Sequence, residues 1–340
     1  MFLLIGVGKM LDVIVTHYNE PWKTGKKFFD MLACQQCVDF SKINVILIHD
    51  GSEYFHQSLF EDYPYHVCQY AIEHGGVSAA RNAGIEFSSR KWLQFCDFDD
   101  MYSNAFSLKA ILDLLDTDDY DMLWADFWAI DKSVDGQWRI IQRKENVVFI
   151  HGKLFRRDYL MQSGLRFDTE LEFNEDSLFC TTAFETIPSE RIGHINTNTP
   201  AYVWCYTENS ATASPDNWWR AYVGTYQRNI RVLRLFKGRP DRYHMMIART
   251  VFDAFYALNI DDMPDGLINC LEHFRAFYKK NKDSFWATDP DEMRIVLEAS
   301  KKQYLTGEEE ARRRWGYVPM HRREGVNIKQ WLDGLESGVF

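Results

Sequence analysis

The chain has 340 residues, 46% of them hydrophobic, which is enough to bury a substantial core in one large or two ordinary domains. Its formal net charge of −10 argues against a broad nucleic-acid-binding surface, because a phosphate backbone rewards clustered Lys and Arg. No apolar run reaches the roughly 18 residues of a membrane span, and Met1 to Val7 has neither a charged start nor a small-residue cleavage site, so a cytoplasmic compartment is expected.

In chain order, Leu11 to Thr16 is a β-branched run that ends in His17-Tyr18-Asn19-Glu20-Pro21 and predicts a buried strand followed by a loop. Residues 22–40 predict a helix. A second apolar run, Ile43 to Ile48, stops at His49-Asp50-Gly51-Ser52. A third strand is expected over Val67 to Ala71, a helix over Ser78 to Phe87, a strand over Lys91 to Cys96 and a helix over Phe106 to Leu115. Strands alternating with helices imply a mostly parallel sheet with crossover connections. Beyond residue 116 the pattern is mixed, with one strand over Tyr120 to Trp128, an edge ribbon over Arg139 to Phe149 and a strand over Thr199 to Tyr206. Residues 218–236 and 243–260 carry apolar residues at three and four spacing, the mark of amphipathic helices. The expected division is an extension over 1–9, an α/β domain over 10–214 and a helical lobe over 215–340 packed on it.

Asp97-Phe98-Asp99-Asp100 puts three carboxylates in four residues directly behind an apolar strand. In an open α/β sheet the ligand crevice lies outside the carboxyl ends of the strands, where hard divalent ions take oxygen ligands shared with a substrate phosphate. The residues alone also allow an acidic turn that closes the strand. Gly6-Val7-Gly8 precedes the first strand and is not a phosphate loop. The seven cysteines are scattered and expected as reduced thiols. Cys34-Gln35-Gln36-Cys37 has a redox or zinc spacing but no second pair, and is taken as helix packing. Arg312-Arg313-Arg314-Trp315 and His321-Arg322-Arg323 form a local basic patch after Glu308-Glu309-Glu310, expected as a solvated helix end.

Taken in order, Thr16-His17-Tyr18-Asn19, Asp50-Gly51-Ser52, Gly76-Val77-Ser78-Ala79-Ala80-Arg81-Asn82-Ala83-Gly84 and Asp97-Phe98-Asp99-Asp100 resemble the family 2 glycosyltransferases of the GT-A fold, over about residues 11–212. The resemblance implies a Rossmann-like α/β fold with a mixed, mostly parallel sheet flanked by helices. It implies an inverting transfer of sugar from a nucleotide-sugar donor, with a UDP-sugar favoured, to an acceptor hydroxyl, assisted by Mn²⁺ or Mg²⁺.

Residue by residue, the resemblance puts Thr16, Tyr18, Asn19 and Asp50 around the nucleoside, with Asp50 accepting from the uracil N–H. Arg81 and Asn82 face the diphosphate or sugar, and Gly75 and Gly76 let the backbone come close. Asp97 falls near the ribose or sugar, and Asp99 and Asp100 on the metal. Phe173-Asn174-Glu175-Asp176 is similar to the family's Glu-Asp segment, which makes Asp176 the general base and Glu175 its orienting partner; a capping role at a helix start is the other reading of those acids. Lys153, in His151-Gly152-Lys153, is assigned to the donor or acceptor, a solvated Lys being the alternative. Tyr202-Val203-Trp204-Cys205-Tyr206 and Asn209-Ser210-Ala211-Thr212 resemble a segment that closes over the diphosphate, but Thr207-Glu208 stand where Arg or His is frequent, so Arg312 to Arg314 or Arg322 are expected to take that part. His49 stands where an acid is common.

Expected acceptors are saccharides, lipid-linked sugars or glycoconjugates, met in the cytoplasm or at the membrane periphery. A modified DNA base, reached through the Arg312 to Arg323 patch, is the less usual one. A nucleotide-sugar- or glycan-binding protein without catalysis is the alternative class, and phosphohydrolase and nucleotidyltransferase readings lack their signatures after the first strand.

Overall fold

The computed structural model describes residues 10–115, 119–144, 146–195, 200–208 and 214–339. These residues form two compact units. The first takes the described residues through Asp131 together with Trp138–Glu170 and Glu175–Thr207, and the second takes Lys132–Gln137, Leu171–Asn174 and the described chain from Glu208 onward. The expected extension over 1–9 lies outside the described residues.

In the first unit, β1 (Leu11–His17), β2 (Ile43–Asp50) and β3 (His66–Ile72) run parallel, and β4 (Trp92–Asp97) joins β1 on its other side, also parallel. Crossovers are made by α1 (Trp22–Ala33) after β1 and by α2 (Gly76–Phe87) after β3. The two-residue strand β5 (Met101–Tyr102) and helix α3 (Ser107–Leu115) follow β4. Next come β6 (Met122–Trp124), β7 (Phe127–Lys132), β8 (Trp138–Arg143), β9 (Lys153–Arg156), α4 (Arg157–Ser163), α5 (Glu175–Thr186), β10 (Ile192–His194) and β11 (Tyr202–Cys205). A seven-stranded sheet has the order β10-β6-β9-β4-β1-β2-β3, with β9 antiparallel to both neighbours, and a four-stranded sheet has the order β5-β11-β7-β8. The mixed, mostly parallel sheet with flanking helices is as expected.

Strand alternation explains the burial. Leu11, Val13, Val15, Val45 and Leu47 belong to one apolar cluster, and Ile14, Ile46 and Ile48 to another, so the central strands are covered on both faces. That is why they appear in the sequence as continuous apolar runs. Asp12 is, with His17, one of two buried polar residues in β1. Its Oδ1 accepts from Asn44 Nδ2 at 2.9 Å and its Oδ2 from the backbone N–H groups of Ser89 and Arg90 at 2.7 and 2.8 Å, which satisfies it.

Two expected elements are shorter or broken. The first helix ends at Ala33 rather than near 40, because Cys37 takes φ 58° and Asp39 starts a separate 3₁₀ turn over Phe40–Lys42. Cys34 and Cys37 are consequently exposed, not packed. The single strand expected over Tyr120 to Trp128 divides into β6 and β7, which belong to different sheets. The break is held by the Ala125 N–H, which donates to Gly152 O at 2.9 Å. Gly152 has φ +72°, and a Cβ there would lie 2.7 Å from Ala125 O, so only glycine fits.

The second unit contains α6 (Trp218–Leu235), α7 (Pro240–Leu258), α8 (Asp265–Trp286), α9 (Pro290–Trp315) and α10 (Ile328–Ser337), the helical C-terminal region expected. The basic patch is not simply solvated. Arg322 Nε meets Glu308 Oε1 at 2.6 Å, and its guanidinium lies 5.2 and 5.7 Å from the ring centres of Tyr256 and Tyr304. Arg323 Nε lies 3.6 Å from Asp261. No helix among the described residues is long and apolar enough to cross a membrane.

Candidate active site

The strand ends meet where the parallel order predicts a crevice. Register pairs Thr16 with both Ile48 and Asp97, so the ends of β1, β2 and β4 lie side by side. Beyond β1 the chain turns through Asn19 at φ 60°, and the Asn19 N–H donates to Ser52 Oγ at 2.8 Å. Tyr18 is exposed and stacks on His74 with ring centres 4.3 Å apart. Asp50 is buried and its carboxylate holds the loop before α2: Oδ1 accepts from the Gly75 N–H at 2.7 Å, and Oδ2 from the Gly76 N–H at 2.9 Å and His74 Nδ1 at 3.0 Å. Oδ1 keeps a second acceptor site, while both sites of Oδ2 are filled. Behind this loop His49, standing where an acid was noted as common, meets His17 through Nδ1 atoms 2.9 Å apart.

Arg81 ties the site together. It is buried on α2, with Nη2 donating to Asp97 Oδ1 at 3.0 Å and Nη1 to Glu175 Oε1 at 2.9 Å, while its Nε has no partner among the described residues. Thr16 Oγ1 adds a contact to Asp97 Oδ1 at 3.4 Å. Burial pushes the Asp97 carboxyl up, but Arg81 and the hydrogen bonds more than offset it, and its pKa falls below the ordinary value. The neighbouring residue Asn82 does something else. It clamps Phe167, accepting from its N–H and donating to its carbonyl, both at 2.9 Å.

The four-residue acid cluster divides in three directions. Asp100 is fully buried, accepting from Tyr202 Oη at 2.6 Å and from the Cys205 N–H at 2.7 Å. Asp99 accepts a hydrogen bond from Thr207 Oγ1. Phe98 turns inward onto Gly25 and the ring of Phe55. Carboxylate oxygens of Asp97 and Asp100 and a ring nitrogen of His151 lie within 4.8 Å of one another. His151 Nδ1 is buried, 3.7 Å from Asp100 Oδ2, and has no hydrogen bond among the described residues. Burial drives the Asp100 carboxyl well up, with Asp97 and Asp99 adding to it, and lowers His151 to about 4, leaving a neutral imidazole free to act as a ligand. Two carboxylates and an imidazole suit Mn²⁺ better than Mg²⁺. The fold therefore groups Asp100 with Asp97 and His151, whereas the sequence grouped it with Asp99. The turn after β4 decides this, because the Asp100 N–H donates to Asp97 O at 3.2 Å and brings the two ends of the four-residue segment together.

Glu175 and Asp176 open α5, where acids complement the helix dipole. Asp176 is held by the backbone, with Oδ1 accepting from the Ser177 N–H at 2.6 Å and Oδ2 from the Ile150 N–H at 3.4 Å. Burial raises both acids. Glu175 reaches about 7, with Asp176 adding to the rise and Arg81 restraining it. Such a pair can exchange a proton near neutral pH.

Lys153, expected on the donor or acceptor or in solvent, is instead fully buried. Its Nζ donates to Asn146 O at 2.9 Å and to Phe149 O, so its ammonium is spent on the loop before β9. Of the expected closing segment, Tyr202 to Cys205 forms β11, and Asn209 to Thr212 lies outside the described residues. Sequence reasoning places Tyr202 and Cys205 only in the closing segment and gives Thr207 and His151 no contact with the acids. Each lies at least 50 residues from the acid it contacts, and no local pattern marks it.

The glycosyl transferase family 2 model matches residues 12–179. The chain belongs to glycosyl transferase family 2. Its matched span takes in every motif that forms the site, from Thr16 to Asp176. Among curated proteins it is 24% identical over 236 residues to the uncharacterized glycosyltransferase EpsJ of Bacillus subtilis, covering 61% of this chain and 64% of that protein. It is 26% identical over 309 residues to the minor teichoic acid biosynthesis protein GgaA of the same organism, covering 85% of this chain and 65% of GgaA. The chain thus spans just under two thirds of these relatives. Among solved structures, S. aureus TarS 1–349 in complex with UDP-GlcNAc superposes with a TM-score of 0.51 at 17% identity, and the UDP complex with 0.50 at 18%, covering 86% of this chain and 92% of TarS 1–349 in each case. At that identity the likeness is one of fold, which is GT-A.

Proposed function

We propose that the unit within residues 10–214 transfers a sugar, with inversion, from a nucleotide-sugar donor to an acceptor hydroxyl in the synthesis of a polysaccharide or glycoconjugate. The observation that carries it is the Arg81 guanidinium, bonded at once to Asp97 and Glu175. One buried cation thereby links an acid suited to the donor's diphosphate side to an acid beside a candidate base. A UDP-sugar is the favoured donor, the nucleoside lying by Tyr18, Thr16, Asn19 and Asp50. The curated relative GgaA is named for teichoic acid biosynthesis and TarS 1–349 was solved with UDP-GlcNAc, which supports a UDP-sugar and a saccharide or lipid-linked acceptor. A cytoplasmic, membrane-peripheral setting suits both.

Asp97, Asp100 and His151 would hold Mn²⁺ or Mg²⁺, with Asp99 adjacent. A divalent cation there supplies charge neutralisation for a departing nucleoside diphosphate. Asp176 takes the proton from the acceptor hydroxyl as that oxygen attacks the anomeric carbon, and Glu175 fixes the geometry through Arg81. With the leaving group held on the Asp97 side and the proton taken at Asp176, a single displacement with attack opposite to departure inverts the anomeric centre.

The test is transfer from a panel of UDP-sugars, followed by mass spectrometry, with Mn²⁺, for the unaltered chain, Asp97→Asn and Asp176→Asn. The expected result is turnover lost in both variants with donor affinity retained in Asp176→Asn. Donor binding without turnover against a broad saccharide panel would instead make the chain a nucleotide-sugar-binding protein.

A further inference from the structure

The helical unit holds a cavity of about 510 Å³ formed by α6, α7, α8 and the turn at Gly238. Its floor is apolar, made by Ile230, Leu233, Tyr243 and Phe277, and its volume lies in the range of small-molecule sites. Its rim carries Arg234, Lys237 and Lys280, with His244 beside them. None of the lining residues is acidic, although the chain as a whole has 49 Asp and Glu against 39 Lys and Arg.

Several cations elsewhere in the same unit are paired. Arg249 pairs with Asp253 at 2.8 Å, Lys282 with Glu336 at 3.0 Å, Lys329 with Asp333 at 2.7 Å and Arg322 with Glu308 at 2.6 Å. Arg234, Lys237 and Lys280 have no ion pair or hydrogen bond among the described residues. Asn281, buried at the same cavity, gives Nδ2 to Phe277 O at 2.8 Å and leaves its Oδ1 without an intramolecular partner. Like charges gathered without counter-ions repel, a cost relieved when an anion binds.

We propose that this cavity binds an amphipathic phosphate, a phosphoryl headgroup joined to a hydrocarbon chain. Arg234, Lys237 and Lys280 hold the phosphate oxygens, with Arg suited to bidentate contact. The hydrocarbon covers Ile230 and Phe277, both half-buried, removing their remaining exposed apolar surface from water. Charge complementarity selects the headgroup and the apolar floor selects what is attached to it. A free anion would leave the floor uncovered, and a nucleic-acid strand would need a charged track rather than one pocket on a chain of net charge −10. The site is independent of the transfer reaction, and its readout is binding.

Calorimetry on the full chain with dodecyl phosphate below its micelle concentration tests this. Binding should be tighter than that of inorganic phosphate or dodecyl maltoside by about tenfold or more. Lys237→Gln/Lys280→Gln, both at exposed positions and with circular dichroism expected to show an intact fold, should weaken it by about tenfold, and Phe277→Ser should weaken dodecyl phosphate while sparing inorganic phosphate. Equal binding of inorganic phosphate and dodecyl phosphate, unchanged binding in the double variant, or displacement by a single-stranded oligonucleotide would each overturn the proposal.

Discussion

Arg81 and Glu175 lie 94 residues apart in sequence and are joined by a hydrogen bond of 2.9 Å between Nη1 and Oε1, while the same guanidinium holds Asp97. Removing it leaves two carboxylates in a largely buried place without a counter-charge. Arg81→Ala is therefore expected to cost about 3–5 kcal/mol of stability and to abolish transfer. Arg81→Lys keeps the charge but not the two-pronged geometry, so it should fold and be slow. Thermal denaturation alongside turnover separates the two effects; a stable, fully active Arg81→Ala would remove Arg81 from the site.

The raised Glu175 carboxyl predicts a pH limb. With Glu175 at about 7 and Asp176 above its ordinary value, proton removal from the pair is expected to bring kcat/KM up as pH rises through the neutral range, with an apparent pKa belonging to both acids. Glu175→Gln removes the like charge beside Asp176, so the limb should move to lower pH. For stability the sign is opposite. A folded-state pKa above the unfolded value means the contribution is fully present below the unfolded carboxyl pKa and is lost as pH rises toward 7. A pH profile of activity and of urea unfolding checks both.

The cation set is testable by binding alone. His151→Ala should reduce Mn²⁺ affinity by about tenfold or more, and Asp99→Asn should reduce it less, because Asp99 is turned to Thr207. Equal losses would return Asp99 to the cation.

His17 and His49 make three end-to-end contacts with only acceptors outside: His17 Nε2 to Glu20 O at 2.8 Å, and His49 Nε2 to Gln69 Oε1 at 3.0 Å. The Gln69 orientation is set by its two bonds to the Phe55 backbone, each 3.1 Å. Filling all three contacts takes three protons on two rings, one more than two neutral imidazoles carry. Burial lowers both, His49 to about 4, so the pair stays neutral at pH 7 with one contact lacking a proton. Stability from this pair is present above the unfolded His pKa and declines as pH falls toward 4. Nitrogen-15 NMR of the histidine rings should show no imidazolium here at pH 6; an imidazolium signal from either ring at that pH would contradict it.

Gly25 packs face-on against Phe98, the ring inside the acid cluster. A Cβ there would lie 2.2 Å from Phe98 Cζ. Gly25→Ala should cost about 1–3 kcal/mol by overpacking and weaken Mn²⁺ binding by moving the adjacent acids. Unchanged melting would show that α1 yields instead.

Local pattern determined the sheet and its ligand end. Continuous apolar runs closed by Thr16, Asp50 and Asp97 can only be strands buried on both faces, and their shared polarity at one end marks the crevice. The resemblance to the family motifs marked Arg81, Glu175 and Asp176 as residues of one site. Which atom faces which was decided by tertiary structure alone. Asp99 and Asp100 are adjacent in the chain and part company, because one meets Thr207 and the other Tyr202 and Cys205 from a strand a hundred residues away. Lys153 and Asn82 look like ligand-binding residues in sequence and are consumed by backbone carbonyls and amides, since a buried polar group takes the nearest partner that satisfies it. Conversely, His151 stands beside the acids with a free ring nitrogen because β9 runs antiparallel to β4, a pairing no local motif encodes.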